Sequence, residues 1–249
     1  MDQNKSKRLD EVNDSLSLIQ DTEGLTFGTD ALLLAGYIGK GYKLGLELGG
    51  GTGIISMLLL SRGKLERCIC AEIQKEYAEL IRENAAHNSL EDRLECINAD
   101  IREHRFPECD IVYTNPPYMK ADTGKRNITD KKNIARHEVN GSILDFCMAA
   151  KRSLKFGGTL AVVYRPDRCM DLLAAMREAG IEPKRMTFVH ADTASEPSMM
   201  LVEGKRGGKS GMRVTAPLII YRDRTHTAYG EDMEYIMENG IFPDNFFIK

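Results

Sequence analysis

From about residue 42 onward, short apolar or β-branched runs alternate with segments whose apolar positions recur at helical spacing. Runs at 43–48, 68–73, 93–97, 110–114 and 159–164 read as strands, and 54–61, 75–87 and 142–154 as helices between them. Pro166 suits the first turn of a further helix ending near Gly180. Strands at 184–189 and 198–203 close the series with no helix between them, which predicts an antiparallel pair at one edge. Such alternation specifies a sheet covered on both faces by helices. The expected fold is therefore α/β, a Rossmann-like, seven-stranded, mostly parallel sheet with an antiparallel edge strand. Residues 1–41 read as a short hairpin or arm plus a helix over 30–38, with Thr29 or Asp30 as its N-cap. Residues 42–225 form the main domain, and the tail 226–249 carries too little pattern to assign.

Composition narrows the class. The chain has 249 residues, 42% hydrophobic and 29% charged, which excludes disordered, collagenous and coiled-coil chains. No apolar run approaches the length of a membrane span. The N-terminal charges have no apolar region behind them, so no secretory signal is expected and a soluble, cytoplasmic protein is. The six cysteines form no Cys-x-x-Cys pair, which predicts reduced core thiols and no metal. Net charge is −3, yet two segments are strongly basic. One holds Lys120, Lys125, Arg126, Lys131, Lys132 and Arg136; the other holds Lys205, Arg206, Lys209 and Arg213. Positive loops on an acidic body suit a polyanionic partner.

The first strand of the main domain runs into Glu47-Leu48-Gly49-Gly50-Gly51-Thr52-Gly53. Glycines at a strand-to-helix turn let a ligand approach the backbone at the positive end of the helix. A dinucleotide fold asks for G-x-G-x-x-G. Here Gly49, Gly51 and Gly53 give G-x-G-x-G, and Glu47 would repel a pyrophosphate while suiting an ammonium. Glu72 ends the second strand, where a carboxylate can accept ribose hydroxyls, and Asp100 follows the third, where it can accept an adenine amine. Ile73 and Ile101 beside them can sandwich an adenine ring. The ligand this set fits is S-adenosylmethionine.

The fourth strand ends Asn115-Pro116-Pro117-Tyr118. Two prolines fix φ and remove backbone donors, which stiffens the carbonyls of Asn115 and Pro116 as acceptors beside an aromatic platform. Such a pair can hold the hydrogens of a planar amine and turn its lone pair toward a sulfonium methyl. No nucleophilic side chain is then needed.

On these residues the chain resembles the class I S-adenosylmethionine-dependent methyltransferases that carry an Asn-Pro-Pro-Tyr motif. Ile19-Gln20, residues 27–35 (Phe-Gly-Thr-Asp-Ala-Leu-Leu-Leu-Ala), Ala135-Arg136-His137-Glu138 and residues 217–221 (Pro-Leu-Ile-Ile-Tyr) are similar to the bacterial YfiC-like tRNA (adenine-N6) methyltransferases. The resemblance implies methylation of the N6 amine of the adenine just 3′ of the anticodon in a valine tRNA. It implies that Glu47 and the glycines bind the methionine end, Glu72 the ribose and Asp100 the adenine. Asn115 and Pro116 then hold the target amine, and Tyr118 stacks on the base. The same motif also serves enzymes that methylate a glutamine amide in release factors, but those carry a helical domain before the glycine loop, for which residues 1–48 leave no room. DNA enzymes usually add a target-recognition domain that no segment here can hold. A nucleoside-binding protein without catalysis has no use for aligned acceptors, so the tRNA enzyme is the expected function.

Overall fold

A computed structural model describes residues 7–21, 28–117 and 141–247. Tyr118, Lys125, Arg126, Lys131, Lys132, Arg136, His137 and Glu138 lie outside the described residues.

Strands β1 (Lys7–Asn13) and β2 (Leu16–Asp21) pair as an antiparallel hairpin. Strict alternation in β2 turns Leu16, Leu18 and Gln20 inward. Helix α1 (Thr29–Tyr37) follows the hairpin. The main series is β3 (Tyr42–Leu48), α2 (Ile54–Ser61), β4 (Leu65–Glu72), α3 (Lys75–His87), β5 (Leu94–Asn98) and β6 (Cys109–Thr114). It continues with α4 (Ile143–Ser153), β7 (Leu154–Tyr164), α5 (Cys169–Glu178), β8 (Ile181–His190) and β9 (Pro197–Arg206). Beyond these come β10 (Arg213–Val214), β11 (Leu218–Ile219) and α6 (Glu231–Asn239).

The main sheet has the order β10-β8-β9-β7-β6-β3-β4-β5, with β11 also on β8. The seven expected strands are β3 to β9, and the two-residue strands β10 and β11 extend the edge by pairing with β8. Strands β3 to β7 pair in parallel. The expected antiparallel pair is β8 with β9, and β9 is also antiparallel to β7, between which strands it sits. After β3 the chain winds outward through β4 and β5, then crosses back to β6. The order therefore reverses between β3 and β6, and ligands of open α/β sheets bind outside the carboxyl ends of strands at such a switch.

Pleat alternation divides the core into two layers. Tyr113 faces the layer of α1 and α2, whereas Leu46, Leu48 and Val112 face that of α4 and α5. The hairpin is bound to α3 by two asparagines one turn apart. Asn84 accepts the Ile19 N–H at 2.7 Å and donates to the carbonyls of Ile19 and Thr52, and Asn88 pairs likewise with Ser17.

Neither Thr29 nor Asp30 caps α1; Gly28 holds the N-cap position without a side-chain cap. The far end of α1 is held by the buried Lys64, whose Nζ donates to the carbonyls of Ala35, Gly36 and Ile38 at 2.6, 3.1 and 2.6 Å. Those are the orphan acceptors of a helix terminus. The unassigned tail folds onto the same helix: Met233, Ile236, Phe242 and Phe246 are buried in the layer containing Tyr37. The Phe242 ring meets Tyr37 edge-on at 5.3 Å and Phe246 at 5.2 Å. Arg185 stacks on Tyr37 and pairs with Glu203 at 2.8 Å. Sequence periodicity misses this segment because its buried residues are split between a short helix and an irregular turn.

Candidate active site

The turn from β3 into α2 uses left-handed backbone at Gly49, Gly51 and Gly53, with φ of 74°, 55° and 81°. Side chains there would be strained, so glycine keeps the turn tight and its surface bare. The N–H groups of Gly49 and Gly50 donate to the Ala71 carbonyl, which ties the turn to β4. Thr114 Oγ1 donates to the Leu48 carbonyl at 2.7 Å and ties it to β6.

Glu47 lies in the interior beneath the turn. Alternation along β3 puts Leu46 and Leu48 on one face and Glu47 on the other, under the turn rather than above it. Glu47 is 1% exposed, and its Oε2 accepts the Ser56 N–H at 3.2 Å and hydroxyl at 2.5 Å. Ser56 belongs to the first turn of α2, so Glu47 caps that helix from a neighbouring strand. Burial pushes its pKa up to about 7. A carboxyl so placed supports the loop.

Glu72 sits where expected, at the end of β4 beside the loop. Its Oε2 accepts the Gly51 N–H and its Oε1 the Gln74 N–H, each at 2.9 Å. Its pKa is raised by burial. Asn98, ending β5, donates to the carbonyls of Glu72 and Ile73, which holds the two strand ends together. Ile73 is half-buried. Asp100 follows, its carboxylate gripped by Arg102 through Nε at 3.0 Å and Nη2 at 2.5 Å. That guanidinium holds the Asp100 carboxyl below its ordinary pKa. Ile101 is less available than expected, being 7% exposed in the layer that contains Phe106 and Phe146.

Asn115 leaves β6 at the switch point, half-buried, with Pro116 buried and Pro117 exposed behind it. Its Nδ2 donates to Asp30 Oδ2 at 2.7 Å. Sequence reasoning missed Asp30 because an acid after Gly-Thr at a helix start reads as a local cap, and nothing in the sequence links it to a residue 85 positions away.

The second basic segment is separated from this edge. Because β9 runs antiparallel, its end falls toward the amino-terminal edge of the parallel strands. Lys205 there donates to Thr159 Oγ1 at 2.6 Å, Arg206 donates to the Leu154 carbonyl, and the Lys209 carbonyl accepts from Lys184. The expected RNA contacts at Lys205, Arg206 and Lys209 are therefore not brought to Asn115. Among the described residues no group of three His, Cys, Asp or Glu side chains is disposed to hold a metal. No helix among them is long and apolar enough to cross a membrane.

A family model described as the methyltransferase small domain matches residues 24–179. Among curated proteins, the chain is 29% identical over 197 residues to the tRNA1(Val) (adenine(37)-N6)-methyltransferase of Phocaeicola vulgatus, covering 76% of this chain and 80% of that protein. It is 27% identical over 214 residues to the protein of the same name from Flavobacterium johnsoniae, covering 84% and 89%. Among solved structures, a predicted O-methyltransferase from Agrobacterium tumefaciens shares the fold with a TM-score of 0.68 at 23% identity, covering 85% of this chain and 96% of that one. The glycine turn, the strand-end acids and the Asn-Pro-Pro motif all lie within the matched span, and the chain belongs to the methyltransferase small domain family.

Proposed function

We propose that this methyltransferase uses S-adenosylmethionine to methylate the exocyclic N6 amine of an adenine in tRNA, the adenine beside the anticodon of a valine tRNA. The reading is carried by the position of Asn115 and Pro116 at the switch point, one strand from the glycine turn, in a chain similar to tRNA adenine-N6 methyltransferases over most of its length.

The residues at the crevice fit the cofactor. Three left-handed glycines leave room for a ligand against bare backbone, and Glu72 is anchored by two N–H groups with its carboxylate facing the same turn. Glu72 receives the ribose hydroxyls, Asp100 the adenine amine, and Ile73 flanks the ring, with Ile101 contributing only its exposed edge. Bound there, S-adenosylmethionine supplies a methyl group already activated on a sulfonium.

The side-chain Oδ1 of Asn115, rather than the backbone carbonyl to which the sequence pointed, and the Pro116 carbonyl accept the two hydrogens of the target amine and turn its lone pair out of the ring. Tyr118 stacks on the base, a contact worth about 1–3 kcal/mol. Alignment of this kind supplies up to about 7–11 kcal/mol of the barrier. No side-chain base is required, because a methylated aminopurine releases its proton to water. Lys125, Arg126, Lys131, Lys132 and Arg136 follow the motif directly in the chain and supply charge for RNA phosphates. A tRNA substrate places the reaction in the cytoplasm.

Incubation with labelled S-adenosylmethionine and total tRNA, beside release-factor and DNA controls, tests this reading. Digestion of the product is expected to yield N6-methyladenosine from tRNA. Label recovered in protein glutamine or in DNA alone overturns it.

A further inference from the structure

Among the described residues, the amide of Asn115 is anchored on one edge only. A carboxylate accepts and never donates, so the edge that meets Asp30 is the NH₂ edge. Oδ1 is the edge left for an incoming donor. Without that anchor, a half-turn about χ2 gives an amide of nearly the same shape with its NH₂ group forward. That orientation places a donor against the hydrogens of an amine.

We propose that Asp30 is a positioning residue that locks Asn115 with its oxygen toward the substrate, so that the site selects a nitrogen bearing hydrogens. This rests on reading Asn115 as the acceptor of the substrate amine. Asp30 is itself fixed. Its Oδ1 accepts the Ala31 N–H at 2.9 Å, which leaves Oδ2 for Asn115. Gly28 makes room for it, since a Cβ there would stand 2.8 Å from Asp30 Oδ1. A negative charge suits the first turn of a helix. Lys64 holds the other end of α1, which fixes the helix that presents the carboxylate.

Asp30→Ala and the isosteric Asp30→Asn are compared with wild type on whichever of total tRNA, duplex DNA and a glutamine peptide the wild type methylates. Both are expected to lower kcat, by about 100-fold for Asp30→Ala. KM for the acceptor and the affinity for S-adenosylhomocysteine are expected to hold. Asn115→Asp alone sets two carboxylates face to face, which repel. The swapped pair Asp30→Asn/Asn115→Asp restores one donor and one acceptor and is expected to regain turnover over that single variant. Independently of turnover, the side-chain amide protons of Asn115, assigned by their loss in Asn115→Ala, are expected to exchange with solvent faster in Asp30→Ala. Wild-type kcat and unchanged exchange in Asp30→Ala overturn the proposal. So does loss of fold or of S-adenosylhomocysteine binding in both Asp30 variants, which would make the residue merely structural. A wild type that methylates DNA or the peptide in place of tRNA overturns the RNA reading and leaves the Asp30 test standing. A wild type that methylates none of the three overturns both.

Discussion

Glu47 Oε2 accepts both the hydroxyl of Ser56, at 2.5 Å, and its backbone N–H, at 3.2 Å. The pair joins the end of a strand to the first turn of the helix it feeds, beneath a loop whose one side chain beyond glycine is that of Thr52.

Burial raises Glu47 from 4.5 to about 7, so between those values the folded protein keeps a proton that the unfolded chain releases. The sign follows: this group makes stability fall as pH rises through that window, and its effect is level above it. Glu47→Gln keeps an acceptor for Ser56 and removes the titration. Its unfolding free energy relative to wild type is expected to climb across the window by on the order of a few kcal/mol. Denaturant melts at several pH values measure this, and a constant difference between the two proteins would refute it.

Asn115→Ala removes the amide oxygen and leaves the glycine turn and Glu72 in place. Binding of S-adenosylmethionine is expected to survive, while turnover falls by about 10²–10³, as for loss of one preorganised polar contact to reacting atoms. Single-turnover rates with calorimetric binding separate the two effects.

Glu72→Ala strips the Gly51 N–H of its partner and takes the acceptor from the crevice. Hydrogen bonds to a charged group are worth about 1.5–3 kcal/mol, so the cofactor dissociation constant is expected to rise about tenfold or more. Equilibrium titration decides; an unaltered constant moves the nucleoside elsewhere.

Charge neutralisation should divide the two basic segments. Alanine at Lys125, Arg126, Lys131 and Lys132 is expected to weaken tRNA binding and flatten its salt dependence. Alanine at Lys205 and Lys209, at the far edge of the sheet, is expected to leave that slope unchanged. Binding isotherms at several salt concentrations read both outcomes.

Phe242→Ala empties a site between Tyr37, Phe246 and Gly36. A loss of about 3–5 kcal/mol in unfolding free energy is expected for a buried ring. A surface-like change below about 0.5 kcal/mol would show that the segment is not part of the cooperative core.

The strands and helices from β3 to β9 were readable because each announces itself locally, through a period of two or of 3.6 and a breaker at its end. Glycines and strand-end acids were readable for the same reason. What was hidden depends on contacts between distant segments. Glu47 gave no sign of its hold on Ser56, because its face on β3 is set by the pleat and by α2. The side of the sheet on which Lys205 falls was hidden too, because charge along a chain carries no strand direction. The last helix was invisible since its apolar residues find their partners on β11 and α1 rather than among themselves.

The hydrogen bond from Asn115 to Asp30 also bears on how such proteins are put together. A seam drawn at residue 41 looks like a natural place to exchange modules, yet it separates the reactive amide from its anchor. A chimaera that took the β-rich portion and replaced what precedes it would inherit the motif intact and its aim lost. The donor of the leading segment would have to bring a carboxylate to the same spot.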